Sequence, residues 1–103
     1  MNQMTLRQAI NNRNLVKFYY NLGSNPGYRT VEPHMIAYNK ANHLCLSAWF
    51  LGGTSKSKEG EGWREYLLPE ISSISVLEQT FQHSRAGYNP EEGEKYHKVQ
   101  CSF

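Results

Sequence analysis

The sequence has few of the residues that build metal sites and disulfide scaffolds. Only two of its 103 residues are cysteines, Cys45 and Cys101, and neither belongs to a C-x-x-C pair or has a histidine at metal-ligand spacing. We therefore predict neither a metal nor any cofactor. Cys45 alternates with leucines in a strand-like run, which favours a buried, reduced thiol, and a bridge to Cys101 is the minor alternative.

Long apolar runs and an excess of one charge are also missing. The amino terminus has no basic region followed by an apolar core, and no run approaches membrane-spanning length, which predicts a soluble cytoplasmic protein without a membrane partner. The 11 basic and 9 acidic residues give a formal charge of +2. That charge is too small to indicate nucleic-acid binding by itself, although it leaves room for a local basic face.

Aromatic residues are abundant by contrast. Seven Tyr, four Phe and two Trp suit strands, a core or a base-stacking surface equally well. The length allows one small domain, which we place at residues 1–82. Residues 83–103 form a polar carboxy-terminal extension, with enough apolar positions to add a strand.

The hydrophobic pattern predicts a short helix followed by strands. Thr5 to Gln8 has the form of a capping box, so we expect the helix to begin at Thr5 and to be ended by Asn12 to Asn14, with an apolar stripe at Leu6, Ala9 and Ile10. Strand-like runs follow at 15–20, 28–38, 43–51, 63–68 and about 74–80, the third apolar enough for a central strand. Turn formers at 23–27 and the polar, glycine-rich run 52–62 predict loops.

The stretch 27–38 concentrates the polar chemistry of the chain. Arg29, Glu32 and His34 lie around Pro33, which cannot donate to a ladder and holds the residue before it extended. We predict a strand kinked or bulged near Pro33 that aims Arg29 or His34 at a ligand. The alternative is an edge strand with solvated polar groups, in which Arg29 pairs with Glu32 or with Glu70.

The order of the elements predicts a mainly β (α+β) fold, in which a short amino-terminal helix precedes a strongly curled, five-stranded antiparallel barrel of the Sm-like or SH3-like kind. The succession of motifs resembles the WYL domain family over roughly residues 5–81. Its segments are Leu6…Ala9-Ile10, Val16-x-Phe18-x-Tyr20, Arg29-x-Val31-Glu32-Pro33, His43-Leu44-Cys45-Leu46-Ser47-Ala48 and Arg64-x-Tyr66-x-Leu68-x-Glu70-Ile71-x-x-Ile74. Arg-x-Val-Glu-Pro is the most specific of these.

Two segments of the sequence differ from the family pattern. The Trp-Tyr-Leu run that names the family is here Leu44-Cys45-Leu46, and the arginine usual before the closing Ile is replaced by Glu70. The resemblance implies a regulatory ligand-binding domain with an Sm-like barrel. Members usually follow a winged or helix-turn-helix DNA-binding domain and are thought to sense nucleic acid or nucleotides in prokaryotic transcription control and phage defence. The present chain would then be a free-standing module or a regulatory half.

The resemblance carries a ligand-binding role to Tyr20, Arg29 and Arg64. Lys17 would complete a basic cluster with the two arginines, since guanidinium groups match phosphate oxygens and aromatic faces stack on bases. The candidate ligand-binding residues are therefore Lys17, Tyr20, Arg29, His34, Arg64 and Tyr66. A structural role, with Tyr20 in the core and Arg29 in a surface ion pair, is the alternative for each.

Two classes of function remain open. The first is a sensor of single-stranded nucleic acid, a nucleotide or another anionic ligand. The second is a protein-interaction module that forms a homodimer or binds a partner regulator through a sheet edge or through Trp49, Phe50 and Trp63. His34 and His43 have no nucleophile and carboxylate at a recognisable spacing, so we predict that the protein is not an enzyme.

Overall fold

The computed structural model describes residues 2–21, 26–53, 61–83, 85 and 96–102. Most of the predicted loop at 23–27, most of the loop at 52–62 and much of the extension after residue 83 lie outside these ranges. The described elements are one helix, a short 3-10 helix and six strands. No helix in these ranges is long and apolar enough to cross a membrane.

Helix α1 spans Asn2–Asn12. The predicted beginning at the capping box is wrong, because Thr5 lies inside the helix. The predicted end is confirmed: Arg13 adopts a φ of 61° and its amide donates to the carbonyl oxygen of Ile10 at 3.2 Å. The predicted stripe is confirmed as well, since Leu6, Ala9 and Ile10 are buried in the core.

Six antiparallel strands follow. They are β1 (Asn14–Tyr20), β2 (Gly27–Asn39), β3 (Leu44–Gly53), β4 (Gly62–Leu67), β5 (Ile71–Thr80) and β6 (Tyr96–Ser102). The main path of the sheet is β4-β3-β2-β1-β5, and β6 pairs with β2. Strand β5 begins earlier than predicted because the 3-10 helix at Leu68–Glu70 leads directly into it.

The sheet is curled but does not close into the predicted barrel. Strands β4 and β5 are the two ends of the hydrogen-bonded path among the described residues. The link between them contains Pro69, which has no amide hydrogen for a ladder. Two hydrogen bonds connect this link and the end of β4 to the end of β1 instead: the Leu67 amide donates to the Tyr20 hydroxyl at 2.9 Å, and the Asn21 amide donates to the Glu70 carbonyl at 3.0 Å.

The long strand β2 is irregular at Pro33, as predicted. Its pairing with β3 shifts register between Pro33 and Met35. Before this bulge one edge of β2 pairs with β1 from Gly27 to Val31, and after it β2 pairs with β6 from Met35 to Asn39. Because β3 pairs along nearly the whole of β2, β1 and β6 follow one another along the other edge.

The core lies between α1 and one face of the sheet. Its buried side chains include Leu6, Ile10, Val16, Phe18, Val31, Ile36, Leu46, Ala48, Tyr66 and Ile71. The prediction that β3 is a central strand is confirmed, because Cys45 and Ser47, on the opposite face from Leu46 and Ala48, are buried too. The sequence pattern of a nearly continuous apolar run reflects this burial on both faces.

The strand order makes a Cys45–Cys101 disulfide impossible in this fold. Strand β2 lies between β3 and β6, with Ala37 opposite Cys45 and Ile36 opposite Cys101. Adjacent strands are about 4.8 Å apart, so the two Cα atoms are about 9 Å or more from each other, beyond the roughly 7 Å that a disulfide spans. Burial raises the pKa of the Cys45 thiol to about 12, with the nearby Glu65 charge adding to the effect, so this thiol stays protonated.

Candidate ligand-binding site

The register of the sheet places Arg29 and Arg64 on its core-facing side. Arg29 is opposite Phe18 and Arg64 is opposite Ala48, and both of these partners are fully buried in the core. Directly opposite residues in an antiparallel pair point to the same face. The two arginines are themselves only half-buried, so they lie at the border of the core.

Phe50 lies on β3, the strand between those of the two arginines. It is opposite Gly62 on β4, so Arg64, two residues further along that strand, is its diagonal neighbour. On β2 it is opposite Val31, but the pairing shifts register between Thr30 and Val31, and Arg29 is opposite Gly53. The guanidinium carbon of Arg64 lies 5.4 Å from the centre of the Phe50 ring. The structure therefore places two of the predicted cations on one face of the sheet, on either side of β3, and brings Arg64 against the Phe50 ring.

Each guanidinium is also oriented by a carbonyl next to it. Arg64 Nη1 donates to the carbonyl oxygen of Trp63 at 2.8 Å, and Arg29 Nη1 donates to that of Tyr28 at 3.2 Å. A guanidinium carries five N–H donors in a planar fork. These contacts to backbone oxygens limit the directions in which the two side chains extend.

Tyr20 and Tyr66 lie on the same face but inside the core. Both rings meet Phe18 edge to face, with centroids 6.2 and 5.1 Å from it, and they contact each other at 4.9 Å. Such aromatic pairs contribute about 0.5–1.5 kcal/mol each beyond burial. Burial raises the pKa of the Tyr20 hydroxyl, which accepts the Leu67 amide. Both tyrosines therefore support the surface on which the arginines lie.

Lys17 is on the opposite face of the sheet. It is exposed, opposite Thr30, and its Nζ lies 5.1 Å from the centre of the Tyr28 ring. Tyr28 in turn meets Tyr19 edge to face at 5.4 Å. The structure thus does not bring Lys17 together with Arg29 and Arg64, because neighbouring positions of β1 and β2 alternate between the faces.

His34 also lies on that opposite face, in a polar cluster with the buried Glu32 and the partly exposed Arg85. Two nitrogens of the Arg85 guanidinium donate to the two carboxylate oxygens of Glu32, at 2.6 and 2.9 Å. The Arg85 amide donates to His34 Nε2 at 3.2 Å, and His34 Nδ1 is 2.8 Å from the carbonyl oxygen of Glu32. Because a carbonyl only accepts, the network assigns the proton of the neutral ring to Nδ1.

Arg85 is the residue that the sequence analysis missed. It lies in the polar extension, where no periodicity or motif distinguishes it from other charged residues. The suggested pairing of Glu32 with Arg29 is wrong, because the two alternate to opposite faces of β2 and Glu32 binds Arg85. A signal was present in the sequence: a glutamate beside Pro33 in an apolar strand needs a cationic partner if it is buried.

Protonation of His34 should destabilise the fold. Burial lowers its pKa below 6.5 and the nearby Arg85 charge acts in the same direction, while the contact with Glu32 opposes them. The unfolded chain therefore binds the proton more tightly, and stability is lost as the pH falls below about 6.5, by up to about 1.4 kcal/mol per pH unit. Thermal melts between neutral and mildly acidic pH should show this fall.

The matched variant is His34→Gln, which keeps a polar side chain but does not titrate. We expect its melting temperature to decline less over the same pH interval than that of the unmodified protein. An equal decline in both proteins would show that another group causes it.

A separate cleft of about 280 Å³ lies at the start of β3 and contains none of the predicted site residues. Its lining consists of Asn42, His43, Leu44, Leu67, Pro69 and Glu70. Arg29 lies opposite Gly53, the last residue of that strand, so Glu70 is at the far end of β3 from Arg29. Among the described residues no group of three or more His, Cys, Asp or Glu side chains is arranged to hold a metal ion.

The family model of the WYL domain matches residues 2–76. The chain belongs to the WYL domain family. The resemblance drawn from the motif order is thereby confirmed, and the WYL domain is a regulatory, ligand-sensing domain. The matched segment contains all six predicted site residues of this WYL domain, but ends before Arg85 and β6. No match to a curated protein was found.

Proposed function

We propose that this WYL domain is a non-enzymatic sensor that binds an anionic ligand, a nucleic acid or a nucleotide, through Arg29 and Arg64. The observation that carries the proposal is the placement of Arg29 and Arg64 on one face of the sheet, on the two strands that flank β3. Planar N–H forks match phosphate oxygens, and two of them on the same face of the sheet, with β3 between their strands, can contact separate phosphates of one ligand.

Phosphate contacts rather than base stacking would supply most of the affinity. Phe50 is only 6% exposed, and Tyr20 and Tyr66 are buried as well, so these rings present little surface on which a base could stack. Binding of this kind has little sequence preference and depends strongly on salt. Family membership supports a setting in cytoplasmic transcription control or phage defence in a prokaryote.

Fluorescence anisotropy with labelled single-stranded DNA and RNA tests the proposal. We expect saturable binding that weakens as salt rises, because phosphate contacts release counterions. Arg29→Ala and Arg64→Ala should each lower the affinity about tenfold at low salt, equivalent to about 1.4 kcal/mol. Titration with unlabelled nucleoside triphosphate in competition separates a nucleotide from an oligonucleotide ligand.

Two control variants remove one positive charge elsewhere. Arg7→Ala changes an exposed residue of α1, and Lys17→Ala changes the opposite face of the sheet. Both should lower the affinity less than the two site variants do. A loss of affinity in Lys17→Ala alone would place the ligand beside Tyr28 instead. If the unmodified protein shows no binding at any salt concentration, nucleic acid is not the ligand.

The alternative is a protein-interaction module, for which the end of the sheet is the supporting observation. Strand β5 is a terminal strand of the main path, and Val76 on it is 46% exposed. An exposed strand edge can pair with a second copy or with a partner regulator. Sedimentation measurements that show a dimer, combined with no nucleic-acid binding, would favour this alternative over the sensor.

A further inference from the structure

The polar cluster of Glu32, His34 and Arg85, on the face of the sheet opposite Arg29 and Arg64, is built like a ligand-binding site that Arg85 occupies. Its receptor side consists of Glu32, His34 and Trp49, held by β2 and β3. The Glu32 side chain is only 7% exposed, while that of Arg85 is 37% exposed. A buried carboxylate thus receives a cation that arrives from the solvent side.

The carboxylate recognises the planar shape of the cation as well as its charge. Both oxygens of Glu32 accept from Arg85, one from Nε and the other from Nη2. A lysine ammonium has no such fork and could not make the same pair of parallel hydrogen bonds. The chemistry of Glu32 therefore selects a guanidinium over an amine.

An indole ring forms a further side of the site. The guanidinium carbon of Arg85 lies 5.0 Å from the centre of the Trp49 ring, within the range of a cation–π contact. Trp49 is held in turn by Trp63, edge to face at 5.7 Å, and by the hydrogen bond that its Nε1 donates to Glu61 at 3.1 Å. The Trp49 ring is thus held in place by Trp63 and Glu61 as well as by its contact with Arg85.

His34 adds recognition of the peptide backbone. Its Nε2 accepts the main-chain amide of Arg85, and its ring is packed against Trp63 at 4.8 Å and Phe81 at 5.1 Å. The ring is oriented by its contact with the Glu32 carbonyl. The site consequently recognises two groups of the same residue, its guanidinium and its main-chain amide. Together these two groups define an arginine within a polypeptide.

The receptor residues and their occupant come from different parts of the chain. Glu32, Trp49 and Trp63 are directly opposite one another on β2, β3 and β4, all inside the segment that matches the WYL family, whereas Arg85 lies beyond it. We propose that Glu32, His34 and Trp49 form a binding site for an arginine within a polypeptide, which Arg85 fills here and which a separate arginine derivative can fill when the Arg85 side chain is removed. The site is on the opposite face from Arg29 and Arg64, so it does not depend on the proposed function.

Chemical rescue of Arg85→Ala tests this site. The probes are Nα-acetyl-arginine amide, agmatine, which has the guanidinium but no peptide amide, and Nα-acetyl-lysine amide. We expect the arginine probe to raise the melting temperature of the variant in a concentration-dependent way, because a ligand that binds only the folded state stabilises it. Its fitted affinity should exceed that of the lysine probe about tenfold, with agmatine between them.

Two further proteins show whether the effect arises at the site. The unmodified protein should respond less to the arginine probe, since Arg85 already occupies the site, and the double variant Glu32→Gln with Arg85→Ala should not respond. If Arg85→Ala is unfolded, recovery of its circular dichroism with each probe gives the same ranking. Equal responses to the arginine and lysine probes, equal responses with and without Glu32, or no response to the arginine probe would each overturn the proposal.

Discussion

Gly53→Ala is expected to lower the free energy of unfolding by about 3 kcal/mol, the upper end of the usual cost of overpacking. A Cβ built on Gly53 would overlap the carbonyl oxygen of Tyr28 and lie 3.0 Å from its carbonyl carbon and 3.2 Å from the Cα of Arg29. These are backbone atoms of the paired strand, so they cannot move aside as a flexible side chain can. Urea denaturation measures the loss directly.

The same substitution should disturb the proposed ligand site. The Tyr28 carbonyl that the new methyl group displaces is the one that accepts from Arg29 Nη1. We therefore expect nucleic-acid affinity to fall in Gly53→Ala under conditions where the variant is still folded. Reduced stability with unchanged affinity would mean that Arg29 does not contribute through its present position.

The neighbouring glycine supplies the control. A Cβ at Gly52 would meet nothing within 4 Å, although the residue lies in the same strand. Gly52→Ala should leave stability within about 0.5 kcal/mol of the unmodified protein, as is usual for surface substitutions. Equal losses in the two variants would attribute the effect to glycine in this strand generally and not to the close approach at Gly53.

Arg85→Ala is expected to cost about 3 kcal/mol, whereas Glu32→Gln should cost only about 1 kcal/mol. Breaking a buried ion pair from one side leaves the other charge buried and unpaired, which typically costs 3–5 kcal/mol. We take the lower end because the Arg85 side chain is 37% exposed. Losing Glu32 leaves a cation that water can reach, while losing Arg85 leaves a carboxylate that it cannot.

The double variant Glu32→Gln with Arg85→Ala distinguishes this explanation from a simple loss of contacts. If the unpaired carboxylate causes the damage, the double variant should be more stable than Arg85→Ala alone, and the coupling between the sites should be strongly non-additive. Arg7→Ala, at an exposed position of α1, controls for the change in net charge. Additive losses would mean that Glu32 and Arg85 stabilise the fold independently.

Local sequence patterns determined the elements and the family. Alternation in β1 and the apolar run in β3 were sufficient to identify those strands, since each strand buries the residues that its period predicts. Proline chemistry located the irregularity of β2 at Pro33. The beginning of α1 was predicted wrongly because a capping-box pattern is a local signal, and the same residues are compatible with a helix that continues through them.

Tertiary structure alone decided which polar residues meet. The period of two within a strand determines the face to which a residue points, so Arg29 and Glu32 on β2 point to opposite faces. The partners of a residue on other strands depend instead on register and on the order of the strands in the sheet. Arg29 on β2 and Arg64 on β4 lie on either side of β3, and Glu32 binds Arg85, 53 residues away. No local sequence pattern indicates that two residues so far apart in the chain are in contact. The sequence by itself therefore determined the family and the candidate cations, and the curled sheet determined that Arg29 and Arg64 share a face while Lys17 and His34 lie on the other.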